Sequence, residues 1–179
     1  MRALLRPPRR HWWGIAWLAG YIGTIFAANW ALATFGVLPL FGLAVPAGTL
    51  FAGLAFTLRD LTQDTLGRVW TVTAILVGAM LSAAASPQFA LASGAAFLFS
   101  ELADFLVYTP IRERHFLGAV LLSNTAGLVL DSVLFLVLAF GTLDFLAGQV
   151  VGKLSMTAVA VVVLGLLRWA RPAALLEAV

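Results

Sequence analysis

From Trp12 to Leu58 the chain carries no charged side chain, and apolar runs then recur from Val69, Phe89, Phe116 and Phe145, each interrupted by at most a few polar residues. A helix needs about 20 mostly apolar residues to cross the hydrocarbon core, so the first run holds two crossings and each later run holds one. Six spans result, at about 12–34, 38–57, 69–85, 89–108, 116–140 and 145–168. The breaks carry turn chemistry: Gly36 with Pro39, Ser86-Pro87, and Gly141 with Asp144. Pro110 ends the fourth helix, because its ring and missing N–H cannot continue the hydrogen-bond ladder. Pro46 falls inside the second span, where it is expected to kink the helix. The pattern predicts an all-α integral membrane protein, a six-transmembrane-helix bundle forming one transmembrane domain over residues 1–179.

Composition agrees. Hydrophobic residues make up 62% of the chain and charged ones 11%, whereas a soluble domain is about a quarter charged. The formal charge of +3 does not point to nucleic acid, because the arginines are spread over loops instead of forming one basic face. With no cysteine there is neither a disulfide framework nor a thiolate metal site.

The charges set orientation. Arg2, Arg6, Arg9, Arg10, Arg59, Arg68, Arg112, Arg114, Arg168 and Arg171 all fall in segments on one side, and the opposite loops carry no Lys or Arg. Positive residues mark the cytoplasmic face, so both termini are expected in the cytoplasm, which requires an even number of spans. Arg6 to Arg10 followed by Ala31-Leu32-Ala33 resembles a signal peptide, but the apolar core between them exceeds the roughly 7 to 15 residues of such a segment. Retention of the first span is therefore expected. No internal repeat is evident.

Lys153 stands apart, inside an apolar run at membrane depth, where a cation is costly and needs a partner or a ligand. Asp131 is placed symmetrically in the fifth span across a tight hairpin, so the two are candidates for a buried pair. That pair either fixes helix register or has one partner surrendered to a substrate. Gln149 lies one turn from Lys153 on the same face. In the fourth span Glu101, Asp104 and Tyr108 fall at i, i+3 and i+7, and in the fifth Asn124, Gly127 and Asp131 repeat that spacing, so each set shares a face turned into the bundle. Asp104, about one turn from the cytoplasmic end, either snorkels or pairs with Arg112 or Arg59 with Glu101 protonated, or the two carboxyls serve a substrate; Asn29 lies in the outer half of the first span. Each amide either bonds a heterocycle edge or joins two helices. Phe97, Phe99, Phe105, Trp30 and Trp70 could stack a flat ring, whereas Trp12, Trp13, Trp17 and Trp169 read as interface anchors.

Catalysis is not expected. His11 and His115 lie far apart in sequence, and no nucleophile, metal or phosphate-binding motif is present. No cofactor or metal is therefore assigned.

The run Phe56-Thr57-Leu58-Arg59-Asp60-Leu61-Thr62-Gln63-Asp64 with Gly67-Arg68, then Glu101, Asp104, Tyr108 and Arg112, then Asp131-Ser132 with Phe135, then Lys153, resembles the VUT family of vitamin uptake transporters, also described as queuosine precursor transporters. The resemblance covers nearly the whole chain. It implies six spans, cytoplasmic termini and inward transport of 7-deazaguanine bases, and its polar positions fall on Asn29, Asp60, Asp104, Arg112, Asp131 and Lys153. Glu101 stands where members often carry Gln, and Ala28 where a Ser commonly precedes the Asn. The residues and the resemblance together give a candidate site of Asn29, Glu101, Asp104, Asp131, Gln149 and Lys153 for substrate, with Asp60 and Arg112 as a cytoplasmic gate or motif.

The expected function is import of a queuosine precursor or related heterocycle across a prokaryotic inner (cytoplasmic) membrane. The alternative is a vitamin-binding membrane subunit of an ATP-driven (ECF-type) uptake system. A third class is a structural or assembly protein without a substrate. The expected partners are a small-molecule substrate and the lipid bilayer, with homo-oligomerisation left open and nucleic acid not expected.

Overall fold

The computed structural model describes residues 9–85 and 90–170. Arg2, Arg6, the Ser86-Pro87 turn, Phe89 and Arg171 lie outside the described residues, as do the side chains of Arg9, Arg10, His11, Arg168 and Trp169. The order of elements is α1 (Arg9–Phe35), β1 (Val37–Leu40), β2 (Leu43–Pro46), α2 (Gly48–Leu66), α3 (Arg68–Ala85), α4 (Ala90–Ile111), α5 (Phe116–Phe140) and α6 (Leu146–Ala170).

Five of the six helices, α1 and α3 to α6, are long and apolar enough to cross a membrane. Their outer faces are apolar and bare: Trp30 is 59% exposed, Val69 80%, Leu91 78% and Leu106 69%. Buried positions, by contrast, include Arg59, Asp60, Glu101, Asp104, Asn124 and Lys153. A soluble protein does not show so much contiguous apolar surface, and a bilayer is the solvent that suits it.

The second expected span needs correction. Its first half is not helical, and the chain there is not all-α: β1 and β2 form an antiparallel hairpin with Val37 opposite Pro46 and Leu40 opposite Leu43. The two-residue turn, Phe41 (φ 51°) and Gly42 (φ 76°), has positive φ at both positions, matching a type I′ turn and the right-handed twist of the strands. Pro46 therefore closes β2 and kinks no helix. The helix α2 then runs past Thr57 to Leu66 and stops at Gly67, whose φ of 91° suits only glycine. Pro110 lies in the last turn of α4, which ends one residue later at Ile111.

This shift relocates one arginine. Arg59 does not lie in a loop; it sits mid-helix in α2 with no exposed surface, so Lys153 is not the one cation inside the bundle.

Small residues bring the helices close enough for their polar faces to meet. A Cβ on Gly53 would lie 2.8 Å from both the Cα and the carbonyl oxygen of Lys153, and one on Gly127 would lie 2.8 Å from the Phe56 ring and 3.1 Å from Asp104 Cβ. α2 and α6 run parallel, with Thr49 against Gly152 and Gly53 against Lys153 and Met156. β2 packs on the start of α6, where Val45, almost wholly buried, meets Gly152.

Candidate functional site

Three polar layers follow one another down the interface of α2, α4, α5 and α6. Nearest the hairpin, the Lys153 ammonium donates to Asp131 Oδ2 at 2.5 Å, Ser132 Oγ at 2.7 Å and Gln149 Oε1 at 3.1 Å. An ammonium has three N–H donors, and all three are used. Asp131 retains 19% side-chain exposure while Lys153 has 2%, so the carboxylate is the more accessible member of the pair.

The middle layer is centred on Arg59. Its guanidinium meets Asp60 Oδ1 at 2.8 Å, Glu101 Oε2 through Nε at 3.3 Å, and Asp104 Oδ1 through Nη2. The Arg59 Cζ also lies 5.8 Å from the Tyr108 ring centre, a cation–π distance. No side chain in this group exposes more than 1%. Helical spacing explains the convergence: Glu101, Asp104 and Tyr108 share one face of α4, and Arg59 projects onto it from α2. Asn124 on α5 joins the layers, its amide lying between Thr57 Oγ1 at 2.8 Å and Asp104 Oδ2 at 3.3 Å when the NH₂ faces the carboxylate. Ser123 donates to Asp60 Oδ2 at 3.4 Å.

The third layer lies where α2 and α4 end. Asp64 accepts from the Tyr108 hydroxyl at 2.8 Å and pairs with Arg112, which is 25% exposed. Gln63 donates to Thr109 Oγ1 at 2.9 Å. Arg112 thus faces Asp64, and the partner of Asp104 is Arg59.

The structure therefore brings together Glu101, Asp104 and Asp60 in one layer and Asp131, Gln149 and Lys153 in another, with Arg112 one layer further on. Asn29 donates to the Ile25 carbonyl of its own helix at 2.8 Å. Of the aromatic residues considered for stacking, Trp30, Trp70 and Phe99 are more than half exposed on the perimeter, and Phe97 packs on Tyr21 with ring centres 6.1 Å apart. Among the described residues no cluster of His, Asp or Glu side chains could hold a metal ion.

The sequence reading leaves Arg59 in a loop and gives Asp64, Thr57 and Asn124 no bonding partners. A signal for the first two was present. Between Arg59 and Leu66 there is no Gly or Pro, so nothing ends the helix before Gly67. Asp60 and Asp64 stand at i and i+4 within it.

A helical assembly that is apolar outside and ionic inside is a multi-pass membrane protein. Residues 83–167 match the family model described as "Putative vitamin uptake transporter". The match takes in α4, α5 and most of α6, and with them Glu101, Asp104, Tyr108, Arg112, Asn124, Asp131, Gln149 and Lys153; it supports the VUT resemblance over these residues, while Asn29 and the Phe56–Arg68 run lie outside it. No curated protein and no solved structure matches the chain.

Proposed function

We propose that the protein imports a small heterocyclic solute, with a 7-deazaguanine base as the substrate class, through the polar layers between α2, α4, α5 and α6. The observation that carries this reading is the Arg59 layer, where carboxylates from two helices bind the N–C–N donor fork of a guanidinium. The ring N–H and exocyclic NH₂ of a deazaguanine form a similar fork, and a carboxylate accepts both donors side by side. Asp104 or Glu101 would exchange Arg59 for substrate, and Lys153 or Gln149 would bond the carbonyl edge.

In this reading α2 is the sixth crossing. Its 19 residues span about 28 Å at 1.5 Å per residue, and Arg59, Asp60 and Asp64 are all turned inward. Six crossings would put both termini on one face, and the positions of Arg68, Arg112 and Arg114 support a cytoplasmic one, with a prokaryotic inner membrane as the proposed location. Asp60 and Arg112 lie toward that face and would gate the exit.

The test is uptake of labelled 7-deazaguanine bases by cells that make queuosine-containing tRNA only through salvage. Wild type should support uptake, and Asp104→Asn and Lys153→Met should each reduce it at least tenfold. Absence of uptake with well-folded wild-type protein would refute the substrate assignment. Co-purification with an ATPase would favour the vitamin-binding subunit reading suggested by the family description.

A further inference from the structure

We infer that Glu101 carries an exchangeable proton and that solute movement through this protein is coupled to proton movement. The argument begins with charge. Arg59 is the single cation of a layer holding three carboxylates, Asp60, Glu101 and Asp104, all at most 1% exposed. The nearest other described cations are committed elsewhere, Lys153 to Asp131 and Arg112 to Asp64. With every carboxylate ionised the layer would hold two uncompensated negative charges in a low-dielectric interior, and buried charges persist only when compensated.

One proton halves that excess, and geometry selects the group that takes it first. Asp104 has the Arg59 Nη2 and the Asn124 amide. Asp60 has the Arg59 Nη1 at 2.8 Å and the Ser123 hydroxyl at 3.4 Å. Glu101 has the longest of the three Arg59 contacts, 3.3 Å through Nε.

A second observation points to the proton itself. Tyr21 on α1 is fully buried with its hydroxyl beside Glu101, and that hydroxyl has no other polar partner. A hydroxyl oxygen is an acceptor. The Tyr21 O–H can donate to an ionised Glu101 and its oxygen can accept from a protonated one, so the site accommodates the neutral acid as well as the ion pair.

Every packed element contributes to this environment: Tyr21 from α1, Arg59 and Asp60 from α2, Asp104 and Tyr108 from α4, Ser123, Asn124 and Asp131 from α5, and Lys153 with Thr157 from α6. α3 adds no titratable group beyond Arg68 at its exposed start. The step is a proton transfer alone: Glu101 gains H⁺ on one side of the membrane and Arg59 is freed for the other carboxylates. When Glu101 loses H⁺ toward the Asp64 and Arg112 layer, the guanidinium contact re-forms. The coupling rests on the transport reading above, but the proton on Glu101 does not.

The experiment therefore has two arms. Infrared difference spectra of the purified protein in lipid, recorded against pH and in D₂O, read protonated carboxyl groups directly. A carboxylic C=O band should be present at neutral pH, be lost in Glu101→Gln, persist in Asp131→Asn, and shift in frequency in Tyr21→Phe. Absence of such a band in folded wild-type protein, or its persistence in Glu101→Gln, overturns the assignment. Should Glu101→Gln fail to fold, an unshifted band in Tyr21→Phe overturns it equally. In the second arm, vesicles containing the protein and a trapped pH dye receive 7-deazaguanine. Acidification of the lumen in step with uptake, abolished in Glu101→Gln, supports coupling, and uptake indifferent to a protonophore overturns it. A band at neutral pH without any deazaguanine uptake removes the substrate assignment and leaves the proton on Glu101 standing.

Discussion

Replacing Arg59 by Met keeps the length and apolar stem of the side chain but removes the charge that holds α2 against α4. Three buried carboxylates lose their common partner, and removing one member of a buried ion pair costs about 3–5 kcal/mol because the remaining charge stays desolvated. An exposed arginine is a different case, since surface pairs are worth about 0–1 kcal/mol. Arg68 at the start of α3 is exposed and provides the control. At about 2–4 °C per kcal/mol for a chain of this size, Arg59→Met should melt about 6–20 °C below wild type in detergent, and Arg68→Met within a degree or two. Arg59→Lys should fall between, because an ammonium cannot reach three carboxylates with a planar fork. The triple variant Arg59→Met/Glu101→Gln/Asp104→Asn should recover much of the loss by removing the stranded charges. Equal melting of Arg59→Met and Arg68→Met would refute the assignment of Arg59 to the interior.

Lys153→Met should destabilise by about 3 kcal/mol or more by stranding Asp131, and Lys153→Met/Asp131→Asn should regain most of it; denaturation of the two variants side by side measures the difference. Gly53→Leu and Gly127→Val force side chains into contacts already at 2.8 Å and should each cost about 1–3 kcal/mol by overpacking, read as lowered melting temperature and reduced uptake. A Cβ on Gly148 would strike the Ala44 carbonyl, so Gly148→Val should lift the hairpin from α6. Because the chain has no cysteine, a single thiol introduced by Phe41→Cys can carry a spin label, and its mobility should rise in the Gly148→Val background.

The apolar runs were legible because a bilayer makes length and hydrophobicity decisive, and the i, i+3, i+7 spacing was enough to put Glu101, Asp104 and Tyr108 on one face. What the pattern concealed was α2. Its second half is polar, and a polar segment between apolar runs reads as a loop when charge is counted without helix-breaking residues. Arg59 was therefore assigned to a membrane surface, although Leu61 to Leu66 offer no residue that stops a helix. The hairpin was hidden for the opposite reason. Val37 to Pro46 is apolar enough to pass for membrane helix, and only the Phe41-Gly42 turn gives a local reason for strands. The partner of Asp104 depended on which helix neighbours which, and spacing along one chain does not contain that information.

The burial of Arg59 also bears on how the chain enters the membrane as it is made. On insertion scales, an Arg, Lys or Asp at the centre of a helix disfavours transfer into lipid by about 2.5–3.5 kcal/mol each, and α2 carries Arg59, Asp60 and Asp64 in a single helix. Its compensating carboxylates on α4 begin 42 residues later, at Glu101. In the six-crossing reading, α2 leaves the ribosome with Asp60 as the first partner of Arg59 but before the α4 carboxylates that complete the layer, so its settled place in the bilayer awaits the synthesis of α4. A chain truncated before residue 90 should leave α2 accessible to water-soluble reagents, and one extended through Ile111 should protect it.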